Sequence, residues 1–253
     1  MSAGCPGTAY DPGFAGGTGD PGPAGGRYGA ASPRPVEIAI GGKVLKGDLA
    51  LVPRAIGLVL FVHGSGSSRF SSRNRAVARS LQTGGLSTLL FDLLSEDEER
   101  IDEHTRGLRF DIPLLTERVI AVTRWLAAQP ETRDLAVGYF GASTGAAAAL
   151  RAAAHFADRP DLVRAVVSRG GRPDLALDDL PRVTAPTLLI VGGEDGAVIG
   201  MNRRAFAALR APRQLEIVPG ATHLFEEPGA LERVSWLAGE WFRRYLGGGG
   251  SGA

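Results

Sequence analysis

The chain has 253 residues, with 28 Lys plus Arg against 27 Asp plus Glu and a formal net charge of +1. That balance excludes a polyanion-neutralising basic protein as the first reading, so no nucleic-acid partner is expected. Apolar residues at 44% and charged residues at 22% are ordinary globular usage and suffice for a sizeable core. The single cysteine, Cys5, excludes an intramolecular disulfide, a cysteine-built zinc cage and a cysteine nucleophile in the folded part.

Residues 1–34 are mostly Gly, Pro, Ala and Ser without periodicity, which predicts a disordered leader. Residues 247–253, GGGGSGA, predict a flexible tail. A single folded domain is expected over 35–246. The longest apolar run, Ile56–Val62, is far shorter than the roughly 20 residues of a membrane span. No basic patch followed by an apolar core opens the chain, so a cytoplasmic protein without a membrane partner is expected.

Between the ends, strand and helix signals alternate. Val36–Ile40 and Val44–Val52 read as a hairpin joined at Gly41-Gly42. Gly57–Val62, Ser87–Phe91, Ala136–Phe140, Ala165–Val167, Thr187–Val191 and Gln214–Val218 are short apolar runs without polar alternation, as expected of parallel strands covered on both faces. Leu115, Val119, Val122 and Leu126 share one helical face. So do Leu231, Val234, Ala238, Trp241 and Tyr245, in a helix that Pro228 is expected to open. The class is α/β, with ligands expected at the carboxyl ends of the strands.

The strand at Ala136–Phe140 runs into Gly141-Ala142-Ser143-Thr144-Gly145 and then an Ala-rich helix. This is G-x-S-x-G between strand and helix, the setting in which a sharp turn lifts a serine above the sheet. Ser143 is the expected nucleophile, and a hydroxyl in that role needs a base held by a third group. In this arrangement the chain order is serine, acid, histidine. Of His63, His104, His155 and His223, only His223 follows a late strand. Asp195 lies at the end of Thr187–Val191 in a Gly-rich turn and is the preferred acid, with Glu194 its rival. His155 is expected at the surface and His104 in a solvated charged segment.

The strand at Gly57–Val62 ends in His63-Gly-Ser-Gly-Ser-Ser, where glycines let the main chain approach a substrate. A tetrahedral oxyanion needs donors placed in advance. The amides of Thr144 and Ser65 are the expected pair, with Gly66 as the alternative to Ser65. His63 is expected to organise this loop. A phosphate-cradling loop would require a Gly-Lys-Ser/Thr ending that is absent. Arg69, Arg73, Arg75, Arg169 and Arg172 crowd the same strand ends. Arginine suits bidentate capture of carboxylate or phosphate, so Arg169, Arg172 and Arg69 are candidates for holding an anionic substrate.

The segments HGSGSSRFSSRN, GYFGASTGAAAAL, VVSRGGRPDL, LLIVGGED and IVPGATHLFEEPGAL resemble the α/β-hydrolase superfamily, in its dienelactone-hydrolase-like branch, over about Val36 to Leu246. Some proteins of that branch also carry a phosphoribosyltransferase-like domain, of which this sequence holds no counterpart. The resemblance implies a mostly parallel sheet of about eight strands with helices on both faces. It also implies ester-type hydrolysis without metal or cofactor, carried by Ser143, Asp195 and His223. The nucleophile departs from the dienelactone hydrolases proper, where it is cysteine. Only about 18 residues precede Thr187 after the preceding strand, too few for a large cap, so an open site for a small ester or thioester is expected. Two alternatives share these residues: an acyltransferase using the same triad, and a non-catalytic binding module on the same fold.

Overall fold

The computed structural model describes Gly29 and residues 31–247. The expected leader and tail therefore fall almost wholly outside the described residues, and Arg34, assigned to the leader, opens the first strand. In chain order the elements are β1 Arg34–Ile40, β2 Lys43–Ala50, β3 Leu58–Val62, α1 Ser72–Thr83, β4 Ser87–Phe91, α2 Glu96–Thr105 and α3 Ile112–Ala128. They continue with β5 Val137–Ala142, α4 Thr144–His155, β6 Val163–Arg169, β7 Thr187–Gly192, α5 Gly196–Ala208, β8 Arg213–Val218 and α6 Ala230–Leu246.

The strands form one open sheet in the order β1-β2-β4-β3-β5-β6-β7-β8. The β1–β2 and β2–β4 pairs are antiparallel and all others are parallel. Gly41 and Gly42, at φ 53° and 80°, make the β1–β2 connection. Two successive positive φ values give a turn whose twist matches that of the paired strands, and glycine reaches them without a Cβ clash.

Alternation along the central strands divides the core in two. Leu58, Leu60 and Val62 of β3 join Tyr139, Val166 and Leu189 on the face covered by α3 and α4. Val59 and Phe61 join Phe140, Val167 and Ile190 on the face covered by α1 and α6. Both faces of β3, β4 and β5 are buried, which is why those strands show no polar alternation. The run of alanines in α4 is wholly buried and lets that helix lie close on the sheet.

Two expectations need correction. The charged stretch around His104 is a helix, α2. Ser95 accepts from the Glu98 amide and the Glu98 carboxylate takes the Ser95 amide, a reciprocal cap, while four acidic residues in the first turn suit the helix dipole. Its buried face is ionic instead of apolar: Glu98 pairs with Arg118 at 2.7 Å and Asp102 pairs with Arg109. Pro228 does not open α6; Gly229 is its N-cap, at φ 80°, and the proline lies just before it. Between β6 and β7 the chain makes only short 3-10 turns, at Pro173–Ala176 and Leu180–Arg182, so no cap domain covers the strand ends there.

Trp241 is fully buried under the sheet, with its indole N–H donating to Pro186 O at 3.3 Å. Trp241→Ala should lower the unfolding free energy by about 3–5 kcal/mol in urea titrations. A loss under about 1 kcal/mol would place the tryptophan outside the α6 core.

Candidate active site

Four chain segments meet at the carboxyl edge of the sheet. The first is the turn after β5. Ser143 has φ 50° and ψ −124°, a strained conformation for a residue with a side chain. It is held there by hydrogen bonds on both sides, from its amide to Arg169 O at 3.3 Å and from the Arg172 amide to its carbonyl at 3.0 Å. A Cβ on Gly141 would stand 2.5 Å from Ala146 Cα, and one on Gly145 would collide with the carbonyls of Val62 and His63. Those contacts are why both positions lack side chains. Ser143 is partly exposed while the residues on either side of it are buried.

The second and third segments bring acid and base together. Asp195 caps α5 after β7, and its Oδ2 lies 2.6 Å from His223 Nδ1. A carboxylate only accepts, so Nδ1 carries the proton and Nε2 is left as a base. The acid turn and the histidine loop are knitted by amide bonds from Gly193 to Val218 O and from Glu194 to Ala221 O. Glu194 is exposed and makes no bond to His223. The histidine ring rests against Gly170, where a Cβ would sit 3.5 Å from Nδ1 and Cε1. Gly170 directly follows the residue whose carbonyl holds the Ser143 amide, so serine and histidine flank one short piece of backbone.

The fourth segment is the loop after β3. A Cβ on Gly64 would lie 2.9 Å from Ser143 Cβ, so the main chain passes directly beside the Ser143 side chain. His63 anchors it: Nδ1–H donates to Gly64 O at 3.0 Å and Nε2 accepts from the Leu93 amide at 3.1 Å. Burial pushes this imidazole below its ordinary pKa, against smaller opposing effects of the Gly64 carbonyl and Asp92. It stays neutral and structural, as its place in the sequence suggested. The Ser65 amide donates to Thr144 Oγ1 at 2.9 Å. The Gly66 amide, the alternative to Ser65, has no partner among the described residues. Next to this loop is a small recess of about 30 Å³, walled by Leu93, Leu94 and Leu115 and by Glu99, Asp102 and Arg109. Glu99 is raised above its usual value, first by burial and then by Asp92 and Glu103.

The three candidate arginines differ sharply. Arg172 forms a two-pronged pair with Asp174 at 2.9 Å and 2.9 Å. Arg69 pairs with Asp92, and Asp48 stands 3.8 Å away. Arg169 is 7% exposed and has no carboxylate partner among the described residues. Its Nη2 donates to Asn74 Oδ1 at 3.3 Å, its guanidinium lies 5.8 Å from the Phe225 ring centre, and its Nε has no acceptor. Desolvation, and then the neighbouring Arg73, lower its pKa to about 10. Of the other histidines, His155 is exposed and bonded to Arg124, and His104 is exposed on α2. No cluster of three metal-binding side chains occurs among the described residues, and no helix there is long and apolar enough to cross a membrane. The ion pairs of Arg69 were not legible from the sequence, because Asp92 and Asp48 are more than twenty residues away along the chain, whereas the Arg172–Asp174 pair is local.

The sequence model of the dienelactone hydrolase family matches residues 59–239. The chain belongs to that family. The crystal structure of dienelactone hydrolase from Anabaena variabilis is 57% identical, with a TM-score of 0.83 over 86% of this chain and 99% of that one. A Mycobacterium tuberculosis H37Rv protein named "Putative phosphoribosyl transferase Rv0571c" is 57% identical over 215 residues, 85% of this chain and 47% of that protein. The chain thus spans about half the length of this relative. The ferulic-acid-bound Est1E of Butyrivibrio proteoclasticus is 18% identical with a TM-score of 0.69, over 83% of this chain and 98–99% of the Est1E chain, a likeness of fold. Family membership and fold together support hydrolase activity.

Two outcomes follow from the packing of this dienelactone hydrolase family member. Gly145→Ala should lower the melting temperature, since backbone carbonyls that cannot step aside meet the new Cβ; a variant as stable as the parent would contradict the close approach. His63 has a folded pKa below its unfolded value of about 6.5, so its neutral form contributes stability fully above that pH, and the contribution is lost as pH falls below it. Unfolding free energies measured from pH 7.5 to 5 should therefore fall less steeply in His63→Gln than in the parent.

Proposed function

We propose that the protein is a serine hydrolase that cleaves a small carboxylic ester or thioester through an acyl-enzyme. The observation that carries this reading is the 2.6 Å Asp195–His223 bond beside a strained, partly exposed Ser143. With Nδ1 committed to Asp195, His223 Nε2 is the atom available to take the Ser143 proton. Ser143 Oγ then bonds to the acyl carbon, the carbonyl π pair moves onto oxygen, and the collapsing intermediate expels the alcohol or thiol with the proton held by His223. Water, deprotonated by the same nitrogen, releases the acid. The phosphoribosyl transferase named for the mycobacterial relative belongs to a protein of which the match covers 47%.

The substrate is proposed to carry an anionic group on the side of the site formed by β6. Arg169 supports this, because a buried guanidinium without a counter-ion is costly and a bound carboxylate or phosphate would satisfy it. The recess beside the loop after β3, with Glu99 and the Asp102–Arg109 pair, offers less to an anion.

Intact-mass measurement after fluorophosphonate treatment tests the nucleophile. One adduct is expected on the parent and none on Ser143→Ala, with labelling slowed by at least about a hundredfold in His223→Ala. An unlabelled, folded parent would overturn the reading. For the substrate, Arg169→Gln should lower kcat/KM about ten- to a hundredfold for an ester bearing a second carboxylate and leave its neutral methyl ester nearly unchanged. Equal losses on both esters would remove the anion site.

A further inference from the structure

We propose that the Thr144 side-chain hydroxyl is itself an oxyanion donor, with the Ser65 amide behind it as a positioning group. This deepens the serine-hydrolase reading and rests on it.

Thr144 is the first residue of α4 and is 4% exposed. Three hydroxyls buried in helix interiors are spent on the helix backbone: Thr116 donates to Ile112 O at 2.7 Å, Thr123 to Val119 O at 2.8 Å and Ser235 to Leu231 O at 2.9 Å. Thr144 has no such acceptor, since the residue four before it, Phe140, lies in β5. Its oxygen instead accepts the Ser65 amide at 2.9 Å, and its own proton has no acceptor among the described residues. A hydroxyl in this state is a donor in waiting, made stronger because an amide polarises its oxygen.

The place of that donor fixes what it can serve. Thr144 directly follows the nucleophile, and the loop it bonds runs against the Ser143 side chain at Gly64. The amide N–H and side-chain O–H of one threonine are close enough to converge on one acceptor. As Ser143 Oγ bonds to the acyl carbon and its proton passes to His223 Nε2, the carbonyl π pair becomes a lone pair on oxygen. That oxygen accepts from the Thr144 amide and hydroxyl. The Ser65 amide, whose single hydrogen points at Thr144 Oγ1, holds the hydroxyl in place.

The test uses the full chain and three variants, Thr144→Val, Thr144→Ala and Thr144→Ser. Readouts are p-nitrophenyl ester kinetics, fluorophosphonate labelling, and inhibition by a trifluoromethyl ketone, which forms a charged tetrahedral adduct on Ser143. Thr144→Val keeps shape and amide but lacks the hydroxyl, and should lower kcat by about 10²–10³ with KM changed less than threefold. Ketone affinity should fall by the same factor, and Thr144→Ser should retain activity within about fivefold. Thr144→Ala should match Thr144→Val, so the result survives if the β-branched variant folds poorly. Thr144→Val within threefold of the parent, a change in KM alone, or equal losses in Thr144→Ser and Thr144→Val would each overturn the proposal. If Ser143 of the parent takes no label, the failure lies instead in the serine-hydrolase reading.

Discussion

The backbone at Ser143 stands in a conformation that costs about 1–3 kcal/mol, and it persists because everything around it is packed main chain against main chain. Arg169 O and the Arg172 amide grip the two sides of its peptide. Gly141 lies on α4, Gly145 lies under the carbonyls of β3, and Gly64 lies on Ser143 itself. A side chain at any of the three would push apart two elements that must touch. The buried alanines of α4 meet the same demand one turn further on. Strain at one residue is thus sustained by the smallness of its neighbours, and a partly exposed serine is what that arrangement yields.

Charge is distributed around this edge with one exception. Glu98 with Arg118, Asp102 with Arg109 and Asp92 with Arg69 are ion pairs with little exposed surface, and Asp174 with Arg172 is a more open one. Such pairs roughly break even energetically, but removing one partner leaves a buried charge that costs several kcal/mol. Arg169 already has that status, relieved only by Asn74 and the face of Phe225. An apolar residue would pack there more cheaply. Keeping a cation at the end of β6, one residue from the glycine that supports the His223 ring, makes sense if an anion arrives during function.

Most of the frame was legible before the structure, for physical reasons. Parallel strands buried on both faces leave short unbroken apolar runs, and β4 matches its expected limits of Ser87–Phe91. The elbow could be found because its glycines answer a local steric demand that sequence displays directly. Chain order singled out Asp195 and His223, and of Asp195 and Glu194 it is Asp195 that bonds to His223. What sequence hid is the part fixed by partners far along the chain. The α2 helix buries charges in place of leucines, so a search for apolar periodicity passes over it. The pairs of Arg69 and Arg75 depend on acids 23 and 27 residues away, in other segments. The Ser65–Thr144 bond spans 79 residues and has no local signature.

That bond and the His63 ring have a joint effect on the loop after β3. A glycine-rich segment would ordinarily pay a large entropy to order around a transition state. Here it is fixed at His63 through the Leu93 amide and at Ser65 through Thr144. Fixing donors before charge develops is what makes an oxyanion site effective, because no reorganisation remains at the moment of reaction. The neutrality of His63 belongs to the same logic. A protonated ring could not accept from the Leu93 amide. Burial of His63 therefore keeps the anchor of this loop uncharged.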